Sequence, residues 1–303
     1  MSSIKDTVNG CEDKNKIIPG MLYLVATPIG NLADLSPRAL KVLEGVDFIA
    51  AEDTRNTAGL LTRFSIRKEL VSYFEHNKRE RGELILTRLL SGQSCALVTD
   101  AGTPAISDPG EDLVRLCAER GVLVTSIPGC CALTSALALS ALATGRFAFE
   151  GFLSTNAGER KKRFAEIVNE HRTLIFYEAP HKLRGTLRDL LAAFGNRKVA
   201  LCRELTKLNE EILRGTLEEV IKLYTEREPR GEYVIVLEGL DEFYHGNPPS
   251  DAPAELLALS PKEHVQHYLD EGMERMDAIK AAAKDRNLSK SAFYAMLNEA
   301  KKI

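Results

Sequence analysis

The feature that most constrains this chain is a rhythm. From Leu22 onward, short apolar runs alternate with amphipathic stretches, and turn-forming residues separate them. Leu22 to Ala26, Phe48 to Ala51, Cys95 to Thr99 and Val122 to Ile127 have the length of buried strands and are too short for helices. Ser36-Pro37 predicts a helix opened by an N-cap and a first-turn proline, with Gly45 closing it. Asp108-Pro109-Gly110-Glu111 combines an N-cap, a proline and a capping-box glutamate, so a second helix is expected to about Arg120. After Pro128-Gly129, an alanine-rich helix is expected through Ala143. Strand, loop, helix, strand in this order predicts the α/β class, a mostly parallel sheet covered by helices.

Between Gly145 and Phe152 the composition shifts and a second α/β unit is expected, with strands at Thr173 to Tyr177, Val199 to Cys202 and Tyr233 to Leu237. Asp241 to Pro253 is rich in Pro and Gly and reads as a linker. Beyond it, residues 261–303 look all-helical. One helix is expected from Met276 to Lys284, a turn at Leu288-Ser289-Lys290, and another helix from Ser291 to Ala300, a helix-turn-helix-like module. The expected organisation is a disordered leader at 1–19, α/β domains at 20–146 and 147–240, a linker at 241–260 and the helical module at 261–303. A length of 303 residues suits two or three domains, and 44% hydrophobic with 27% charged residues suits a globular core. No apolar run is long enough to span a bilayer, and the polar start lacks a signal core, so a cytoplasmic protein is expected. Six cysteines at 11, 95, 117, 130, 131 and 202 include no C-x-x-C pair, which predicts neither a zinc site nor a disulfide framework. The formal net charge of −3 carries no global nucleic-acid signature, so RNA contact would need local patches.

In open α/β sheets, ligands gather beyond the carboxyl ends of the strands. Those ends carry Thr27-Pro28-Ile29-Gly30-Asn31, Glu52-Asp53-Thr54-Arg55, Asp100-Ala101-Gly102-Thr103-Pro104 and Pro128-Gly129-Cys130-Cys131-Ala132. Small and turn-forming residues there let backbone approach a ligand closely. Neither G-x-G-x-x-G nor G-x-x-x-x-G-K-[ST] occurs, which disfavours a dinucleotide site and a P-loop. A zwitterionic, cationic cofactor such as S-adenosylmethionine fits better, with Asp100 and main-chain carbonyls meeting its amino and sulfonium ends.

Four motifs, Leu24-Val-Ala-Thr-Pro-Ile-Gly-Asn-Leu32, Ala51-Glu-Asp-Thr-Arg55, Val98 to Gly110 and Phe176-Tyr-Glu-Ala-Pro-His181, resemble the tetrapyrrole methylase superfamily. Within it they are closest to the enzymes that methylate a cytidine ribose of 16S ribosomal RNA. Arg203 to Lys207, Glu210-Glu211, Arg214-Gly-Thr216 and Gly231-Glu-Tyr-Val234 extend the likeness over residues 20–240, and the tail resembles that family's helix-turn-helix extension. The resemblance implies two α/β domains of tetrapyrrole methylase type with S-adenosylmethionine in the cleft between them. It also implies 2′-O-methylation of cytidine 1402 on the 30S subunit by a homodimer. By motif position, Pro28, Asp100, Ala101, Gly102 and Thr103 would border the cofactor, with Ile106 on the adenosine side. Cys131, Ala132, Tyr177, Glu178 and Thr206 would complete the wall. Relatives often carry Ser, Thr or Ala at Cys130-Cys131, and tetrapyrrole enzymes typically have an aspartate before the proline of Gly102-Thr103-Pro104.

Methyl transfer to a ribose hydroxyl asks the protein for alignment and for a base. Asp53, Asp100 and His181 are the candidate bases, with Lys207 beside a developing alkoxide; no metal is needed. The alternative readings pair Asp53 with Arg55 and make His181 a surface residue near a helix start. Candidate RNA contacts are Arg160, Lys161, Lys162 and Arg163, the turn from His76 to Arg81, and Lys280, Lys284, Arg286 and Lys290 in the tail. Tyr73, Phe74, Phe152 and Tyr244 are candidates to stack on bases, although core packing accounts for such residues more often. Two other functions remain compatible with the residues: a small-molecule tetrapyrrole methylase, and a non-catalytic ribosome-assembly factor.

Overall fold

A computed structural model describes residues 16–240, 255–256, 259–286, 293 and 297. These residues fall into two compact units, the first within 1–168 and 173–237 and the second within 169–172 and 238–303. Lys290, Tyr244, most of the expected leader and linker, and the turn at Leu288 to Lys290 lie outside the described residues.

The first unit begins with the expected rhythm. In order come β1 (Leu22–Val25), α1 (Pro37–Gly45), β2 (Phe48–Ala51), α2 (Thr54–Arg63), β3 (Glu69–Ser72), α3 (Lys78–Leu90), β4 (Cys95–Val98), α4 (Gly110–Glu119), β5 (Val124–Ile127) and α5 (Ala132–Leu139). The five strands form one sheet in the order β3-β2-β4-β1-β5, and every pairing is parallel. Ser36 caps α1, its hydroxyl accepting the Ala39 amide at 3.1 Å with Pro37 in the first turn. Two expectations need correction. Asp108 does accept the Gly110 amide (2.7 Å), but Glu111 pairs with Arg115 rather than closing a capping box. The alanine-rich helix stops at Leu139, not Ala143. There the Ser140 hydroxyl donates to the Leu137 carbonyl and accepts the Leu142 amide, and Ala141 is left-handed at φ 61°.

A second sheet follows, built from β6 (Phe147–Phe152), β7 (Thr173–Glu178), β8 (Lys198–Arg203), β9 (Glu211–Thr216) and β10 (Tyr233–Leu237), with helices α6 (Ala157–Ile167), α7 (Pro180–Phe194) and α8 (Leu217–Glu226). Its order is β6-β7-β10-β8-β9; only β6 and β7 pair in parallel, the rest antiparallel. One face of β7, β8 and β10, including Leu174, Phe176, Leu201 and Ile235, packs with residues of α7 and α8. The other face, Ile175, Ala200, Cys202, Val234 and Val236, packs with Leu133, Ala136 and Leu137 of α5. Thus α5 leaves the first sheet and roofs the second. Each fully buried Leu or Ile contributes roughly 1.5–3 kcal/mol, so this one helix couples the two sheets firmly.

The second unit contains α9 (Pro261–Asp270) and α10 (Arg275–Asp285). Ser260 and Glu263 form a full capping box at the start of α9. Val265, Ala278, Ile279, Ala282, Ala283 and Phe293 form its apolar core. Inside it, fully buried His264 faces Asp285 through Nε2 (3.0 Å) and accepts from Arg286 Nε through Nδ1 (2.9 Å). Burial drives its pKa below the ordinary histidine value, and because Nδ1 accepts from Arg286 the ring proton lies on Nε2, towards Asp285.

Candidate active site

A cleft of about 640 Å³ opens in the first unit, walled by loops from both sheets. From the first sheet come Ile29 after β1, Glu52 after β2, the segment Thr99 to Asp108 after β4, and Cys131 and Ala132 after β5. From the second come Phe152, Tyr177, Glu178, His181, Glu204, Lys207 and Glu232. The first-sheet loops are laced to one another. Thr27 and Gly102 exchange amide–carbonyl bonds (2.9 and 3.1 Å), and the Thr103 hydroxyl donates to the Cys130 carbonyl at 2.9 Å. Thr99 donates to Glu52 at 2.8 Å. Gly102, Ala105 and Ser107 all have positive φ (87°, 65° and 66°), a conformation costly for the two non-glycine residues. Asp108 holds this loop, its Oδ1 accepting the amides of Ala105 (3.0 Å) and Gly110 (2.7 Å). Its Oδ2 is buried without a hydrogen-bond partner among the described residues.

The opposite wall is laced as well. Lys207 Nζ donates to Glu204 (2.8 Å) and Glu232 (2.7 Å), and Glu204 also accepts the Glu232 amide at 3.0 Å. Although burial works against its charge, the two carboxylates raise the lysine's pKa, and Lys207 in turn lowers that of Glu204. Glu204 and Thr206 are again left-handed, at φ 52° and 66°. Glu178 is buried, at 2% exposure, and accepts from the Thr186 hydroxyl (2.5 Å) and the Ala179 amide (2.8 Å). The Tyr177 hydroxyl accepts the Leu133 amide at 3.2 Å, and burial raises its pKa to about 12.

Ala101, Gly102, Thr103, Ile106, Cys131, Ala132, Tyr177 and Glu178 all line this cleft, as do Asp100, His181 and Lys207. Pro28 lines a neighbouring hollow of about 250 Å³, which shares Thr99 and Asp100 with the cleft. Thr206 is absent from both walls; its hydroxyl is buried without a hydrogen-bond partner among the described residues, with Gly30 close against it. Asp53 is outside too: it caps α2 and binds Arg55 at 2.7 and 3.0 Å, which pulls its carboxyl down to about 2. Asp100 accepts from the Asp53 amide and from Asn56 Nδ2, each at 3.2 Å. Glu52, Asp108, Glu204 and Glu232 are wall residues that the sequence reading did not assign, and Phe152, a candidate base-stacking residue, lines the cleft as well. Asp108 had been read only as a helix cap, while Glu204 and Glu232 stood in recognised motifs with no role attached.

The basic runs divide. Arg160 is tied to Asp189 and Arg163 to Glu150 and Glu166, whereas Lys161 and Lys162 are exposed and form no ion pair among the described residues. In the turn near His76, Lys78 is held by Glu75 and Asp112. Lys280 pairs with Asp277, Arg286 is engaged by His264 and the Leu259 carbonyl, and Lys284 stands exposed. Among the stacking candidates, Tyr73 is buried with its hydroxyl on the Pro109 carbonyl, and Phe152 is 58% exposed.

Across residues 21–221 the chain matches the family model for tetrapyrrole (corrin/porphyrin) methylases. The chain belongs to the tetrapyrrole methylase family. Within the family it is 47% identical to the ribosomal RNA small subunit methyltransferase I of Halalkalibacterium halodurans, over 91% of this chain and 93% of that one. The protein of the same name from Bacillus subtilis is 45% identical over the same shares. Among solved structures, a uroporphyrin-III-C-methyltransferase from Thermus thermophilus aligns at a TM-score of 0.52 and 20% identity, covering 75% of this chain and 98% of that one. A cobalt precorrin-4 methyltransferase aligns at 0.54 and 16%, covering 72% and 95%. At such identities these structures show a shared fold. In this tetrapyrrole methylase cleft, six carboxylate residues (Glu52, Asp100, Asp108, Glu178, Glu204 and Glu232) face one lysine and one histidine. The set suits a cationic ligand with hydrogen-bond donors and repels a polyphosphate.

Proposed function

We propose that this protein transfers a methyl group from S-adenosylmethionine to the 2′-oxygen of a cytidine ribose in 16S ribosomal RNA, cytidine 1402, within the 30S subunit. The observation that carries the reading is the acid-walled cleft at the carboxyl edge of a parallel sheet, in a chain so similar to proteins named for small-subunit rRNA methylation. The buried, unpartnered Asp108 Oδ2 and the surrounding acids fit a ligand bearing an ammonium and a sulfonium. Ala101, Gly102, Thr103, Ile106, Cys131, Ala132, Tyr177 and Glu178 would hold it, and when bound it supplies an electrophilic methyl group.

The chain's own residues then divide the remaining work. Lys207 is held as a cation by two carboxylates, which suits it to steady a developing alkoxide rather than to take a proton. Asp53, engaged by Arg55 and lying off the cleft, is not proposed as the base. That leaves Asp100 and His181, both exposed on the cleft wall, to accept the ribose proton. Incubating the protein with labelled S-adenosylmethionine and 30S particles from a strain lacking the enzyme, then mapping the label, tests the reading. A label on the ribose of cytidine 1402 is expected. Label on a porphyrinogen instead, or tight 30S binding without transfer, would replace the proposal with a small-molecule methylase or an assembly factor.

A further inference from the structure

Phe152 is the most exposed aromatic ring on the cleft wall, and its position is built by a defect in β6. Along Phe147-Ala-Phe-Glu-Gly-Phe152, strict two-residue alternation would set Gly151 opposite Tyr177. The register instead shifts between Phe149 and Gly151, so Phe149 stands opposite Ile175 and Phe152 opposite Tyr177. One residue is surplus, and the strand bulges to absorb it. Three features hold the bulge. Gly151 takes φ +66°, and a Cβ there would come within 3.3 Å of the Ser107 hydroxyl, so this strand and the strained loop after β4 meet closely. Glu150 is tied to Arg163 of α6 at 2.7 Å. Phe152 packs edge-on to Tyr177 (centroids 5.4 Å apart, 61°), and Tyr177 also meets Phe149 edge-on (4.9 Å, 68°) and accepts the Leu133 amide through its hydroxyl.

The outcome is a large apolar ring packed on Tyr177 yet 58% exposed in the cleft. Leaving it in water forfeits burial energy that the fold collects for most of its other aromatic rings. The interior of the cleft is anionic, which keeps backbone phosphates out and admits the uncharged base and ribose of one nucleotide. Basic charge follows closely in the chain: Phe152 ends β6, and α6 begins at Ala157 and carries Lys161 and Lys162, exposed and without an ion pair among the described residues. We infer that Phe152 is the stacking platform for the base of the target nucleotide, with Lys161 and Lys162 receiving the flanking phosphates. This rests on the rRNA methylation reading and adds a substrate-positioning residue to it. Base–aromatic stacking is worth about 1–3 kcal/mol by alanine substitution, or roughly 5- to 150-fold in affinity.

The test compares Phe152→Ala, Phe152→Leu and Phe152→Tyr with the parent in steady-state methylation of 30S subunits. The Ala and Leu variants should raise KM for the 30S subunit about tenfold or more, with kcat changed far less, and the Tyr variant should stay near the parent. S-adenosylmethionine affinity by calorimetry, which also reports an intact cleft, should stay within about twofold in all three. A Leu variant with the parent's KM would make the ring an apolar filler and overturn the inference. The adenine of the methyl donor is the competing source of a planar base. The chain contains no tryptophan, so Phe152→Trp introduces a single indole, which can be excited selectively over the eight tyrosines. Its fluorescence should be unmoved by S-adenosylhomocysteine alone; saturable quenching would assign the ring to the cofactor and overturn the inference. If the parent itself transfers no label to 30S subunits, the underlying function fails instead.

Discussion

The two sheets of the first unit meet the same cleft by different rules. In the first sheet all strands run in parallel, so every carboxyl end lies on one edge, and four of the loops there contribute wall residues. In the second, β10 is antiparallel to its neighbours β7 and β8. Its amino end, with Glu232 and Tyr233, therefore lies beside the carboxyl ends that carry Glu178 and Glu204. The first wall is a set of turns laced by hydrogen bonds and left-handed residues; the second is an ion-paired rim on a packed face. From this difference we expect the first wall to govern affinity for the methyl donor, and the second to govern stability and turnover.

The largest effect should follow from Asp108→Ala. Two amides lose their acceptor, each costing about 1–3 kcal/mol if left unsatisfied, and the strained loop relaxes. Calorimetry should show S-adenosylmethionine affinity reduced by about tenfold or more, while Asp108→Asn, which keeps an oxygen acceptor, loses much less. An alanine variant that binds like the parent would erase the asymmetry between the walls. Next in size is Glu178→Ala, which strips the Thr186 hydroxyl and Ala179 amide of a buried acceptor. Thermal denaturation should report a loss of about 1–3 kcal/mol, or about 2–4 °C per kcal/mol in a unit of this size, with donor affinity changed less than in Asp108→Ala.

Lys207→Met should act more narrowly. With the ammonium gone, Glu204 and Glu232 face each other unneutralised, so methylation of 30S subunits should slow about fivefold at a nearly unchanged melting temperature. Equal turnover in parent and variant would remove Lys207 from the chemistry. The smallest effect belongs to Asp53, off the cleft. Its carboxyl is held near 2 in the folded chain, below the roughly 3.9 of a free aspartate, so its contribution is present above about pH 4 and lost as the pH falls towards 2. The melting temperature of Asp53→Ala should fall less steeply than the parent's over that interval. Parallel curves would mean the Arg55 pair adds no stability.

How much of this was legible in the sequence follows from the same contrast. Turn residues at the ends of β1, β2, β4 and β5 identified the first wall, because in a parallel sheet strand end and ligand edge coincide. That rule says nothing about the amino end of β10, so Glu232 passed unassigned. Strands β3, β6 and β9 were also missed: Glu69 to Ser72 is a short run opened by a charge, the bulge breaks the alternation of the second, and Glu211 to Thr216 mixes charge and glycine in the third. Asp108 was visible only as a cap, since a carboxylate that serves two loop amides looks in sequence like any residue before a proline. The overrun of α5 to Ala143 has a local cause, because alanine-rich composition favours helix while the Ser140 hydroxyl satisfies the turn that ends it.

The bulge in β6 gives the strand one residue of slack, and that makes chain length a variable at the cleft mouth. A chain lacking Glu150 would run straight, with Gly151 still opposite Phe176 and the ring still opposite Tyr177. A chain with one further residue would have to bulge twice or surrender the position to its neighbour. Keeping an aromatic ring at this mouth is thus tolerant of a deletion and intolerant of an insertion, an asymmetry that substitution at any single residue would never reveal.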